Sequence, residues 1–128
     1  MIVDILKVNK TENIEGVYRE VADYLHTNKI LADKCVFFEE LKHREELGSI
    51  KIYDDVYLPH ILSENILKNI ILRVDGYREK VLFILIGNAD EEVRSKIFRI
   101  ITKLLDRNFI EELFRYSKQE FEEKIKII

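Results

Sequence analysis

Two short runs that are almost wholly apolar, residues 69–74 (NIILRV) and 81–86 (VLFILI), limit the fold more than any other feature of this chain. Runs of that length, rich in β-branched and aromatic side chains and apolar at consecutive positions, are expected to be strands covered on two faces. Asp75, Gly76 and a basic stretch lie between them and supply a turn. Amphipathic helices flank this pair. Asn13 caps a first helix whose Ile14, Val17, Val21 and Leu25 recur near every 3.6 residues, and which runs to about Asn28. Asp33 caps a second, with Val36, Phe37, Phe38 and Leu41 forming a broad apolar face and Gly48 as the stop. Downstream, Asp90 caps a long helix striped by Val93, Ile97, Ile100, Ile101 and Leu104, and shorter helices are expected over residues 109–116 and, capped by Ser117, 118–125. Helices, strands and helices again imply an α/β domain, a sheet with helices packed on it. Residues 1–8 are expected to be an edge strand or an extended lead-in.

A chain of 128 residues, 47% hydrophobic, builds one core and is too short for two ordinary domains, so a single domain over 1–128 is expected. With four Gly and one Pro, no linker offers a division. Acidic residues (24) and basic residues (21) are interspersed, for a formal charge of −3, which favours neither direct nucleic-acid binding nor an anionic membrane. No apolar run approaches the roughly 20 residues needed to span a bilayer, and no signal pattern opens the sequence, so direct membrane insertion is not expected. The single Cys35 excludes an internal disulfide, and no His, Cys or carboxylate set has zinc-ligand spacing; a cytoplasmic location without a bound metal is the simplest expectation.

The chemistry is expected in residues 44–60, REELGSIKIYDDVYLPH. Arg44 and Glu45 fall in the last turns of the second helix. Residues 49–59 alternate around Ile50, Ile52, Val56 and Leu58 as a strand pair, with Asp54 and Asp55 at the tight turn, and His60 follows Pro59. One cation and one imidazole are thereby brought toward a common site, which suits phosphate. A neutral imidazole attacks phosphorus through one ring nitrogen while the other donates to a backbone carbonyl or a carboxylate. The guanidinium of Arg44 supplies a planar donor fork for developing oxygen charge. Pro59 holds Leu58 extended and presents His60 at little ordering cost. Asp54 and Asp55 oppose a phosphoryl dianion only if they point inward, by roughly 1 kcal/mol per charge pair at 4 Å in water.

On these residues the sequence resembles the fructose- and mannitol-type enzyme IIA (EIIA type 2) of the bacterial phosphoenolpyruvate-dependent sugar phosphotransferase system. That family carries a phrase much like R-E-x-x-G-S-T-G-x-G-x-G-[VI]-A-[IL]-P-H, which Arg44, Glu45, Gly48, Ser49, Val56, Leu58, Pro59 and His60 fit without a gap. The helix pair before it and the ending LLDRNFIEELFRYSKQEFEEKI are similar to the family's too. The resemblance implies a mixed β-sheet flanked by helices on both faces, of the phosphotransferase/anion-transport-protein type. It implies a phosphotransferase component with no cofactor, in which His60 accepts a phosphoryl group from HPr and passes it to the cysteine of an enzyme IIB protein or domain. Arg44 would stabilise the group, with Glu45, Ser49 and Arg94 as further candidates.

The chain departs from the family at Ile50, where Thr is usual, at Lys51, Tyr53 and Asp55, where small residues or Gly stand, and at Tyr57 just before the His. The family often has a second His at the head of the long C-terminal helix; that place falls near Arg94 or Ser95, and no His lies beyond residue 60. These differences motivate an alternative, a regulatory EIIA-like domain that senses phosphorylation or has lost it and acts with a transcriptional regulator. Simpler readings cover the rest: His26 and His43 are helix-surface residues, Cys35 belongs to the core, and Glu45 makes a structural salt bridge or hydrogen bond.

Overall fold

A computed structural model describes residues 1–9 and 11–128. The chain divides into two compact units, Met1–Asn88 and Ala89–Ile128. In the first, β1 (Ile2–Lys7) leads to α1 (Ile14–Thr27) and α2 (Lys34–Glu46), followed by β2 (Lys51–Tyr53), β3 (Val56–Tyr57), β4 (His60–Leu62), β5 (Ile70–Asp75) and β6 (Lys80–Ile86). The second holds α3 (Glu91–Lys103), α4 (Arg107–Arg115) and α5 (Lys118–Ile127).

The two apolar runs are β5 and β6, an antiparallel pair at the middle of a mixed six-stranded sheet ordered β1-β5-β6-β3-β2, with β4 also on β6. β1 runs parallel to β5 at one edge, β3 and β4 run parallel to β6, and β2 folds back antiparallel on β3. Ile70, Leu72 and Val74 of β5 and Val81, Phe83 and Leu85 of β6 share one buried cluster with Val17, Val21 and Leu25 of α1 and with Phe37 and Leu41 of α2. Each such side chain contributes about 1.5–3 kcal/mol on burial. The alternate residues Ile71, Leu82 and Ile84 are buried as well, so neither run has a wet face. Arg73 interrupts this apolar surface at 4% exposure and is held by a two-point bond to Asp75, Nε to Oδ1 at 2.9 Å and Nη2 to Oδ2 at 2.8 Å.

Local chemistry sets the helix starts. The Asn13 side chain accepts from the Gly16 N–H at 2.9 Å, that of Asp33 from Val36 at 3.1 Å, and that of Asp90 from Val93 at 2.9 Å. The buried face of α2 is narrower than the sequence suggests. Cys35 and Val36 are exposed while Phe37 and Leu41 are buried. Two residues correspond to roughly 200° around a helix axis, so Cys35 points away when Phe37 points in. In the second unit, α4 begins at Arg107 rather than 109, because Asp106 accepts from the Asn108 N–H at 2.9 Å and caps it. Ser117 and Glu120 form a reciprocal capping box on α5. Lys96 Nζ and Arg99 Nε of α3 donate to the carbonyls of Lys126 and Ile128 at 2.7 and 3.1 Å.

Candidate functional site

β3 and β4 follow one line along β6, broken at Leu58 and Pro59. Val56 lies opposite Lys80 and His60 opposite Ile84, so the register resumes unchanged after the break. Pro59 has no N–H for a ladder. Its carbonyl nonetheless accepts from the Ile84 N–H at 2.9 Å, and the Leu58 N–H donates to the Ile50 carbonyl at 2.8 Å. The Leu58 carbonyl accepts from the His60 ring, with Nδ1 at 3.2 Å. A carbonyl only accepts, so Nδ1 carries the proton and Nε2 keeps its lone pair.

Arg44, in the last turn of α2, places Nη2 at 3.5 Å from Nε2 of His60, while Nη1 donates to the Gly48 carbonyl at 3.4 Å. Gly48 has φ +153°, a conformation side chains rarely adopt, and this lets the chain leave α2 with its carbonyl turned toward Arg44. The guanidinium thus stands beside the lone pair without a short bond to it. Glu40, His43, Arg44 and Leu47 share one face of α2 and line a cleft of about 370 Å³ with His60, Ile61 and Leu62. His60 is half-buried, and Leu47 and Leu62, 71% and 65% exposed, give the cleft an apolar rim. Glu39 also reaches it, and Oε1 of Glu40 is buried with no hydrogen-bond partner.

Within the first unit, Glu45 and Ser49 do not line this cleft. Glu45 accepts from the Tyr18 hydroxyl at 2.8 Å and borders a separate hollow of about 430 Å³ with Tyr18 and Phe38. Burial, and then the bond to Glu45, push the Tyr18 phenol well above its ordinary value. Ser49 Oγ accepts from the Lys51 N–H at 3.1 Å, closing a local turn. Arg94 is exposed on α3 in the second unit. Asp54 is exposed, and the Asp55 carboxylate meets Lys80 Nζ at 3.6 Å. Tyr57 packs against the core with Lys51 Nζ 4.8 Å from its ring centre, and Ile50 is buried. None of Ile50, Asp54, Asp55 and Tyr57 lines the cleft of His60. His43 is exposed on the surface of α2, as expected, and there it also lines that cleft; the signal for this is helix phase, one residue before Arg44 and three after Glu40. Among the described residues no group of three or more His, Cys, Asp or Glu is placed to hold a metal ion, and no helix is long and apolar enough to cross a membrane.

The mixed α/β sheet thus carries one imidazole lone pair beside one guanidinium. The family model for the phosphoenolpyruvate-dependent sugar phosphotransferase system, EIIA 2, matches residues 3–127, and the chain belongs to that family, whose members are phosphocarrier or regulatory domains of the system. The fold is similar to that of nitrogen regulatory protein IIA-Ntr from Neisseria meningitidis, with a TM-score of 0.69 at 18% identity over 97% of this chain and 95% of that one. Among curated proteins none matches it in sequence.

Proposed function

We propose that the domain is a phosphohistidine carrier, in which Nε2 of His60 takes a phosphoryl group from HPr and passes it to the cysteine of an enzyme IIB for sugar uptake. One observation carries this reading: Nδ1 is committed to the Leu58 carbonyl while Nε2 faces the Arg44 guanidinium across 3.5 Å. The transfer is in-line. Nε2 attacks phosphorus as the donor's P–N bond breaks, and Arg44 meets the charge that develops on the equatorial oxygens. The apolar rim of Leu47 and Leu62 suits a partner that docks and leaves, and the absence of Asp54, Asp55 and Tyr57 from the residues lining the cleft supports a site open to phosphate. Residues 1–128 act as one domain in the cytoplasm on this reading, which is supported by a family match running through both units.

A regulatory role is the second reading. It is favoured by the lack of any His beyond residue 60 and by a structural neighbour described as a nitrogen regulatory protein. Both readings pass through His60. Incubation with phosphoenolpyruvate, enzyme I and HPr is expected to add one acid-labile, base-stable phosphoryl group, and His60→Ala to remove it without unfolding the domain. Stoichiometric labelling of the Ala variant would overturn the assignment.

A further inference from the structure

We infer that His43 is a second phosphoryl-binding side chain, which donates a ring N–H to the oxygens of a phosphoryl group held on His60; this rests on the carrier reading. His43 occupies the face of α2 that also presents Arg44 and Glu40 to the cleft of His60. Charge balance calls for a further donor there. Among the described residues, those lining the cleft include two acidic side chains, Glu39 and Glu40, against one permanent cation, Arg44. A phosphoryl group brings close to two more negative charges. Arg44 is already directed at the Gly48 carbonyl and at Nε2, whereas the His43 ring has no hydrogen-bond partner among the described residues.

Glu40 supplies the independent observation. Its Oε1 is buried with no donor, one helical turn before His43, and a carboxylate oxygen withdrawn from water without a partner is costly to maintain. A His43 ring turned into the cleft and carrying a proton on both nitrogens, the second taken up from water, donates one N–H to Oε1 and aims the other at the phosphoryl oxygens. His43 forms no covalent bond in this step. The P–N bond of the donor breaks with its electron pair leaving on the donor nitrogen, the new bond forms to Nε2, and the proton stays on Nδ1, which keeps donating it to the Leu58 carbonyl.

The test compares two donors, phospho-HPr and the small molecule phosphoramidate, which docks no protein surface. His43→Ala is expected to slow labelling of His60 about tenfold with both, and His43→Gln, which keeps an N–H donor, to recover most of that loss, as for one charge-assisted hydrogen bond. The melting temperature is expected to stay put, and the His43 ring NMR resonances to shift when His60 of the unaltered chain is phosphorylated. An unchanged rate in His43→Ala, a loss confined to phospho-HPr, or an unshifted ring would each overturn the inference and leave the carrier reading intact, provided His60→Ala remains unlabelled. No labelling of the unaltered chain by either donor would overturn both.

Discussion

Arg44 is expected to act on rate more than on stability. Its two contacts, 3.4 Å to a carbonyl and 3.5 Å to a ring nitrogen, are long, so their loss costs the folded state little. An oxygen dianion forming at Nε2 would meet the same guanidinium at close range. Arg44→Ala should therefore slow single-turnover phosphorylation by about 100-fold, in the range for one preorganised charged donor, while a thermal melt barely moves. Arg44→Lys should recover part of the rate, because it keeps the charge and loses the fork. A rate within a factor of about two of the unaltered chain would mean that Arg44 serves the helix end alone. The residues that depart from the family phrase carry the opposite expectation. Asp55→Gly and Tyr57→Ala leave the cleft untouched, so the labelling rate should not rise, and Tyr57→Ala should lower the melting temperature because its ring packs against the core under Lys51. Restored or accelerated labelling in either variant would show that these side chains do obstruct His60. Arg44 and His60 are legible in the sequence because they bracket a single segment whose ends a helix and a proline fix. For His43 only half is legible, since helix phase puts it on the face of Glu40 and Arg44 but does not say that β4 lies opposite. The roles of Glu45 and Ser49 depend on neighbours the segment does not contain, Tyr18 on α1 and the turn to Lys51.

At the scale of elements, two phenols tie α1 into the fold. Tyr18 donates to Glu45 at the end of α2, and Tyr24 donates to Asp4 on β1. Burial, followed by its bond to Asp4, pushes the Tyr24 phenol up to about 12, and Tyr18 is raised further for the same reasons. The protonated phenol is the form that donates to a carboxylate, so each folded-state value stands above the unfolded one. The stability these groups contribute is fully present below pH ~10 and is lost as pH rises through the folded values. Tyr18→Phe and Tyr24→Phe should each cost about 1 kcal/mol at neutral pH. Between pH ~10 and ~12 the melting temperature of the unaltered chain should fall more steeply than that of the double variant. Parallel curves would show that the hydroxyls support neither contact. Tyr18→Phe should also slow phosphorylation slightly, since Glu45 adjoins Arg44. Element starts are largely legible, because Asn13, Asp33, Asp90 and Ser117 advertise caps by residue type. The start of α4 is less so, because Phe109 opens the apolar pattern while Asp106 makes the cap. Cys35 was expected in the core from its apolar neighbours, but its place around the helix axis overrides their character.

On the scale of the whole molecule, the sequence reveals which strands are central and hides how the rest join them. Two apolar runs, broken only by Arg73, require cover on both sides wherever they lie, so β5 and β6 are readable without a template. The parallel pairing of β1 with β5 spans α1, α2 and three strands, and nothing local in residues 2–7 specifies that partner. Net charge is similarly reticent: −3, with both signs interspersed, gives no steering toward a strongly charged target, and a docking partner must be chosen by shape and by the groups around His60. The choice between carrier and sensor is therefore a question about a second protein. A carrier must release its phosphoryl group to a thiolate that reaches Nε2 in line, which requires a face around the cleft that admits another protein's loop. Leu47 and Leu62 on the rim supply apolar contact there. If the domain is a carrier, phosphorylated protein offered enzyme IIB proteins encoded near its own gene should lose its label to one of them within seconds to minutes. His60→Ala should leave that IIB unlabelled, and the uncharged pair Leu47→Gln with Leu62→Gln should slow the transfer to IIB more than it slows labelling by phosphoramidate. A sensor should hold its label in the presence of every candidate. Labelling of His60 with no acceptor among those IIB proteins would end the carrier reading, because a phosphohistidine that no thiol can discharge serves only to report that donor phosphate is available.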